Sequence, residues 1–257
     1  MSVQLYLSTR GSSLDYRFLG RAPDTRWWAE GPYSQLTRFE KPTLLIESPG
    51  RAYYSGIPSS RRDRVQTPIR YTLVVEGLQE EDSKQTWWNL TRMWLQEREN
   101  LGATLDALVS ERIEDWLTRS VAREDILPEI MATLESFWLS LQDSALPLPA
   151  SSEEVALAVS WGGVEDDDNR QALLERFAAH LQATTPQGSE GLLAVLNLAE
   201  EEEDLDALLS AHPQKAICLL GRGNAALKKK ARRRWLPSLF VVLSSCLGIL
   251  LLNMNRC

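Results

Sequence analysis

The chain has 257 residues, with 28 lysines and arginines against 35 aspartates and glutamates and a formal net charge of −7. Its hydrophobic content of 44% is enough for a packed core, which argues against a disordered chain. Three cysteines and two histidines are too few for a disulfide scaffold and leave little material for a zinc site or a cysteine–histidine catalytic pair. We therefore predict no metal and no cofactor.

The charge is distributed very unevenly along the chain. Residues 1–77 carry 11 basic and 7 acidic side chains (net +4), residues 78–221 carry 9 and 28 (net −19), and residues 222–257 carry 8 and none (net +8). The average of −7 therefore describes no part of the molecule, and each segment needs its own interpretation.

Residues 1–77 have the pattern of short β-strands. Apolar and polar residues alternate over 3–7, and segment 69–75 is rich in β-branched and aromatic residues. Segments 43–47 and 51–55 flank the turn sequence Ser-Pro-Gly and predict a hairpin. The segment is predicted to form a small, mostly antiparallel β-rich unit.

A cationic stretch lies between the last two predicted strands of this unit. Arg guanidinium groups bind phosphate or carboxylate through paired hydrogen bonds, and Ser hydroxyls complete such sites. The candidate anion-binding residues, which we place in one Arg-rich loop, are Ser59, Ser60, Arg61, Arg62 and Arg64. The alternative, which we prefer, is a solvated basic loop that pairs with the acidic segment of the same chain.

The period of the apolar residues changes from two to about 3.6 from residue 83 onward. Three helices are predicted over 78–143, and Pro128 lies near the start of the third. Their apolar stretches are 87–94, 101–117 and 130–141.

Adjacent tryptophans occur twice, at residues 27–28 and 87–88. An aromatic platform for nucleic acid or sugar would need both rings of a pair on one surface. Neighbouring side chains point about 100° apart on a helix and to opposite faces of a strand, so core packing is the better interpretation. This argues against nucleic acid as a partner.

Residues 144–153 form a proline-containing connector, which we take as a domain boundary. Beyond it, segment 154–221 alternates apolar strands with amphipathic helices and predicts a βαβαβ unit with a parallel sheet. The predicted strands are 155–161, 191–197 and 215–220, and the predicted helices are 166–182 and 205–211.

Acidic clusters follow two of these strands, at 165–168 and 200–204. Ligands bind beyond the carboxyl ends of parallel strands, and clustered carboxylates suit Mg²⁺. Acidic residues are also favoured in the first turn of a helix, where they complement its dipole. We prefer helix capping and predict no metal site here.

The C-terminal tail carries the strongest signal. Residues 235–252 contain no charge and would span about 27 Å as a helix, at the short end of what crosses a bilayer. They follow a basic juxtamembrane collar, 222–234, which the positive-inside rule keeps cytoplasmic and which would contact anionic lipid. The residues predicted at the membrane surface are Lys228, Lys229, Lys230, Arg232, Arg233, Arg234 and Trp235. The alternative is a buried C-terminal helix.

Ser244 and Gly248 lie four residues apart within the predicted membrane helix. Small residues at this spacing let two membrane helices approach closely, so they are candidates for self-association into a homo-oligomer. Such spacings also arise by chance in apolar segments.

Together these patterns predict an α/β protein with an α+β N-terminal part and a single C-terminal transmembrane helix. We expect a tail-anchored protein at the cytoplasmic face of the inner (plasma) membrane. Its body would act as a sensor, adaptor or effector that binds a protein partner or ligand, in a bacterial signalling or defence module. The alternative is a membrane-tethered enzyme acting on a phosphorylated or nucleic-acid substrate held by the Arg-rich loop. No residue is singled out as catalytic.

Overall fold

The structure is a computed structural model, and it describes residues 3–12, 15–30, 34, 37, 42–47, 50–77, 81–119, 125–142, 147–149, 161–164, 166–182, 192–196 and 216–221. Its strands are Gln4–Thr9 (β1), Arg17–Phe18 (β2), Thr43–Glu47 (β3), Arg51–Arg62 (β4), Pro68–Glu76 (β5), Trp161–Val164 (β6), Leu192–Leu196 (β7) and Ala216–Gly221 (β8). Its helices are Arg26–Ala29 (α1), Glu81–Gln96 (α2), Arg98–Leu108 (α3), Glu111–Arg119 (α4), Leu127–Gln142 (α5) and Asp167–Gln182 (α6).

All eight strands belong to one sheet, in the order β2-β1-β5-β4-β3-β7-β8-β6. The first five strands of the chain pair only antiparallel with one another, and β3 is also antiparallel to β7. Strand β8 lies between β7 and β6 and is parallel to both. The predicted mixed α/β fold with an antiparallel N-terminal sheet is confirmed, and β3 and β7 join the N-terminal and C-terminal strands.

The predicted hairpin is β3–β4, with Glu47 paired to Arg51 across the turn. Gly50 has a φ of 101°, a backbone conformation that strains any residue with a Cβ, so the glycine of the Ser-Pro-Gly turn is required there. Strand β4 continues past the predicted end at residue 55 as far as Arg62. Register shifts against β5 lie between Tyr54 and Ile57 and between Pro58 and Arg62, and they bend this long strand.

Helices α2 to α6 cover one face of the sheet and bury the main hydrophobic core, whereas Trp28 of α1 packs against Tyr53 on the opposite face. Trp94 of α2 is fully buried, and its indole N–H donates to the carbonyl of Ser55 at 3.0 Å. The Tyr54 hydroxyl shares a 2.7 Å hydrogen bond with the Thr91 hydroxyl, which also ties β4 to α2. Both members of the Trp87–Trp88 pair are buried, so the interpretation of these tryptophans as core residues is confirmed.

Within the described residues of segment 78–143 there are four helices, α2 to α5, rather than the predicted three. The predicted middle helix is interrupted between α3 and α4 at Val109 and Ser110. The Ser110 hydroxyl accepts a hydrogen bond from the Ile113 amide at 3.3 Å, which satisfies one of the unpaired donors of a new helix N-terminus. The continuous apolar pattern hides this interruption because the core-facing residues resume at Ile113.

The C-terminal part of the described chain agrees with several predicted elements. Helix α6 matches the predicted helix 166–182, and its buried residues include Leu173, Leu174, Phe177 and Leu181. Strands β7 and β8 match the predicted strands 191–197 and 215–220, whereas β6 shares only Trp161 with the predicted strand 155–161. Residues 150–160 and the predicted helix 205–211 lie outside the described residues, so the βαβαβ unit stays a prediction.

The predicted membrane helix and its basic collar also lie outside the described residues. Within the part of the chain that the structure describes, no helix has the length and apolar character needed to cross a bilayer. The seven collar and anchor positions, Ser244 and Gly248 therefore stay predictions.

Candidate functional site

The predicted anion-binding residues lie mostly on a strand, so their placement in one loop is wrong. Ser59, Ser60, Arg61 and Arg62 are the last residues of β4, and only Arg64 lies in the turn that leads to β5. Turn residues begin at Asp63, whose carboxylate accepts hydrogen bonds from the amides of Val65 (2.9 Å) and Thr67 (2.7 Å). This local bonding shortens the turn and lets β4 extend to Arg62.

Asp106, on the last turns of α3, is the centre of the polar cluster beside this strand end. Its carboxylate accepts hydrogen bonds from the Ser59 hydroxyl, from the Ser60 amide and hydroxyl (both 2.7 Å), and from the Tyr71 hydroxyl (2.8 Å). Burial alone would raise the pKa of Asp106, but the hydrogen bonds from Ser59, Ser60 and Tyr71 outweigh it and lower that pKa. Asp106 therefore stays charged and holds α3 against β4.

Arg61 extends this cluster toward α4. Its guanidinium forms an ion pair with Glu114 of α4 and donates to the carbonyl of Arg10 at 2.8 Å and to the Tyr71 hydroxyl at 3.2 Å. Burial raises the pKa of Tyr71, so its hydroxyl keeps its proton and donates it to Asp106. Arg61 is thus engaged by the protein's own groups at the position where an anion would bind.

An open cleft of about 790 Å³ adjoins this cluster. Ser60, Arg61 and Arg62 line one part of it, together with the acidic side chains Asp106, Glu111, Glu114 and Asp115. The negative charge of these four carboxylates attracts the arginines and would repel a phosphate group. The geometry favours the alternative interpretation, in which the basic residues pair with the acidic segment of the chain.

Arg62 and Arg64 are exposed; the Arg62 side chain bonds within the β4–β5 turn, and the Arg64 backbone bonds to the segment that follows β1. The Arg62 guanidinium donates to the Gln66 carbonyl at 2.9 Å, and the Arg64 amide donates to the Ser12 carbonyl at 3.2 Å. The five predicted residues therefore do not converge on one point. The Ser59, Ser60 and Arg61 side chains face the Asp106 cluster, whereas Arg62 and Arg64 face solvent.

The acidic residues before α6 act as a helix cap. Asp166 accepts a hydrogen bond from the Asn169 amide at 2.7 Å, and Asp167 and Asp168 lie in the first turn. The preferred interpretation of cluster 165–168 is therefore confirmed for Asp166. Among the described residues, no group of three or more His, Cys, Asp or Glu side chains is arranged to hold a metal ion.

A second concave feature, the β1–α5 groove, lies beside β1 on the same helix-covered face of the sheet. It has a volume of about 530 Å³ between the edge of β1 and helix α5. The residues that define it are Val3, Leu5, Met131, Trp138 and Leu139, with Arg21 and Glu135 as its charged residues. Its lining is mainly apolar, which is the usual character of a ligand-binding groove.

Exposed apolar side chains are concentrated in this groove. Among the described residues the large apolar side chains that face solvent are Val65 at 79%, Leu139 at 50% and Met131 at 44% exposure. Two of these three lie on α5 in the lining of the groove, whereas Val65 stands alone on the β4–β5 turn. A contiguous apolar surface beside a groove marks an interaction site more strongly than a single exposed residue does.

Helix α5 carries two apolar stripes. One stripe is buried in the core and consists of Ile130, Leu134, Phe137 and Leu141. The other contains Met131 and Trp138, which are seven residues apart and so lie on one side of the helix, and Leu139, about 100° further round, extends this apolar surface toward solvent. Trp138, which lies within the predicted apolar stretch 130–141, is half-buried in the groove. In the sequence of α5 the apolar residues cover more of the helix circumference than one buried face needs, and this excess is the signal for the second stripe.

Strand β1 has an incompletely covered edge along the groove. Among the described residues, β2 pairs with β1 only at Ser8 and Thr9, and the Leu19 amide donates to the Leu7 carbonyl at 2.7 Å. In an antiparallel ladder the backbone groups of alternate residues point to the same side. The N–H and C=O groups of Val3 and Leu5 therefore point the same way as the Leu7 carbonyl, along the groove.

Comparison with protein-family models, with curated proteins and with solved structures gives no match for this chain. The functional argument therefore depends on the geometry of the Asp106 cluster and of the β1–α5 groove.

Proposed function

We propose that this protein is a membrane-tethered binding module, an adaptor or sensor whose body recruits a partner protein at the β1–α5 groove. The carrying observation is the groove itself, which combines exposed Met131 and Leu139 with unpaired backbone groups of β1 among the described residues. Exposed apolar surface is costly to leave in water, and an uncovered strand edge is a template for pairing with another chain, so a partner can use both features at once.

The proposal includes the C-terminal anchor and the βαβαβ unit that the sequence predicts. Residues 235–252 would span the membrane, and the collar 222–234 would hold β8, which ends at Gly221, close to the lipid surface. The acidic segment 78–221 would be repelled by anionic lipid, so the parts of the body beyond β8 would be directed away from the membrane with the groove accessible.

An enzyme acting on phosphorylated substrates is the weaker candidate. Arg61 would have to leave Glu114 and Tyr71 to bind phosphate, and Ser59 would have to leave Asp106. Each of these exchanges loses a charge-assisted hydrogen bond that the protein already makes. Binding at the groove requires no such rearrangement.

Deletion of residues 235–257 tests the anchor. We expect the full-length protein to sediment with membranes and to resist extraction by alkaline carbonate, whereas the 1–234 chain should appear in the soluble fraction. A matched control replaces 235–252 with an unrelated apolar segment of the same length, which should restore sedimentation. A 1–234 chain that still resists extraction would contradict the proposed anchor.

The double substitution Met131→Glu and Leu139→Glu tests the groove. Met131 and Leu139 are 44% and 50% exposed, so we expect the free energy of unfolding to fall by no more than about 1 kcal/mol for each. Proximity labelling in the host cell should show at least tenfold weaker labelling of those partners that use the groove. The control is Val65→Glu, which introduces one such negative charge at an exposed apolar residue on the distant β4–β5 turn. Equal labelling by all three proteins would contradict the proposal.

A further inference from the structure

The groove is bounded in a way that limits what can occupy it. Strand β2 and Leu19 cover β1 from Leu7 onward, so the uncovered edge among the described residues runs over Val3–Leu5. Three residues of strand extend about 10 Å. The wall opposite this edge is the outer apolar stripe of α5.

We propose that the β1–α5 groove binds a short extended peptide segment of the partner, which adds to the edge of β1 as a further strand. This inference rests on the proposed function and specifies the chemistry of the partner at that same site. The N–H and C=O groups of Val3 and Leu5 offer up to four hydrogen bonds to such a segment, in line with β2. Main-chain pairing of this kind supplies affinity, and alternate side chains supply specificity.

The side chains of the added strand alternate between two environments. Every second side chain would enter the groove against Met131, Trp138 and Leu139, and those between would face away from α5. The groove's volume of about 530 Å³ lies within the range of ordinary ligand pockets and suits a few apolar side chains rather than a folded domain. The segment should therefore have apolar residues two positions apart.

Charge in the groove adds a further requirement. Arg21 follows Leu19 at the end of the groove next to β2, and Glu135 lies on the α5 wall. Both are exposed and of opposite sign. A complementary segment carries an acidic side chain at the end near β2 and a basic side chain facing α5, with its apolar residues between them.

The other occupants fit less well. A second copy of this chain pairing through β1 would bring its own strand against Leu19 and Arg21 after about three residues. A helix could cover Met131 and Leu139 but would leave the backbone groups of Val3 and Leu5 without partners, because its own groups are already bonded. A single extended segment can pair with Val3–Leu5 and stop before it meets β2, so it avoids both problems.

The experiment selects ligands from a displayed library of random seven-residue peptides, with the full-length protein in detergent as the target. Binding of the enriched peptides is then measured by fluorescence anisotropy. We expect apolar residues at positions i and i+2, and at least tenfold weaker binding by the Leu139→Glu protein. Val65→Glu is the matched control and should bind as the unaltered protein does.

A second measurement tests strand addition without altering the protein. Methylating the peptide amides one at a time should weaken binding about tenfold at alternate positions, those facing β1, and leave the intervening positions unchanged. Uniform or absent effects of methylation would overturn the proposal. So would enrichment of apolar residues three or four positions apart, or a Leu139-dependent dimer of the chain in sedimentation with no peptide enriched.

The two proposals fail in different ways. If partner labelling in cells is the same for the groove variants and the unaltered protein, the proposed function is wrong. If labelling depends on the groove but no selected peptide binding depends on Leu139, the strand-addition inference alone is wrong.

Discussion

Replacement of Asp106 by alanine is expected to lower the free energy of unfolding by about 3 kcal/mol. The carboxylate accepts four hydrogen bonds that join α3 to β4 and β5, and one of the donors, the Tyr71 hydroxyl, belongs to a buried residue. The Ser60 groups can turn to water, whereas the Tyr71 hydroxyl cannot readily do so. Chemical denaturation of the full-length chain, followed by tryptophan fluorescence, measures the loss.

The matched control is Asp15→Ala, which removes an exposed carboxylate near β2 and should change stability by less than about 0.5 kcal/mol. A cycle with Tyr71→Phe isolates the Tyr71–Asp106 contribution, because a protein lacking both groups leaves neither unpaired. Equal losses for Asp15→Ala and Asp106→Ala would show that the cluster does not stabilise the fold.

The same carboxylate makes stability depend on pH. Hydrogen bonds from Ser59, Ser60 and Tyr71 lower the pKa of Asp106 in the folded state against the opposing effect of burial. Its contribution is therefore present above the unfolded pKa of about 3.9 and is lost as the pH falls through the lower folded value. The stability difference between the unaltered protein and Asp106→Ala should shrink as the pH falls below about 4. A constant difference between neutral pH and strongly acidic pH would contradict this assignment.

The helices and strands that are marked by a few neighbouring residues could be predicted from the sequence. The Ser-Pro-Gly turn, the β-branched run ending at Val75, and Pro128 in the first turn of α5 each carry their information within a few residues. The hairpin, strand β5 and the start of α5 follow from these signals. The interruption between α3 and α4 does not, because a single serine cap competes with an apolar pattern that continues across it.

The Asp106 cluster could not be predicted, because its residues are far apart in the sequence. Asp106 lies 46 residues after Ser60 and 35 after Tyr71, and nothing in the sequence specifies that α3 packs over the end of β4. The sequence does contain the required excess of acidic side chains in residues 78–221. That excess favours pairing of basic residues within the chain, and the ion pair between Arg61 and Glu114 is an instance of it.

The groove could not be predicted for a different reason. The helical period assigns Trp138 to the core, but α5 is apolar over more than one face. A helix with two apolar stripes at the border of a sheet buries only one of them against the core. The second stripe becomes visible as a surface only when the neighbouring strand edge is known.

Replacement of Gly102 by alanine is expected to lower the free energy of unfolding by about 4 kcal/mol, which is more than the expected cost of losing the Asp106 carboxylate. A Cβ at this position would lie 1.8 Å from the carbonyl oxygen of Pro58 in β4, so α3 and β4 would have to separate. Elsewhere in a helix the same substitution stabilises by up to about 1 kcal/mol, so the sign of the effect is diagnostic. Ala103→Gly, one residue further on the exposed side, is the matched control and should cost only about 1 kcal/mol.

Gly102 and Asp106 lie four residues apart and share one face of α3. The close approach at Gly102 therefore brings Asp106 to the Ser59 and Ser60 groups that it binds. Once Gly102→Ala has displaced the helix, loss of the Asp106 carboxylate should cost much less than in the unaltered protein. We expect the double substitution to be less destabilising than the two single ones added together, by about 2 kcal/mol. Strict additivity would mean that Asp106 reaches β4 independently of the contact between Gly102 and Pro58.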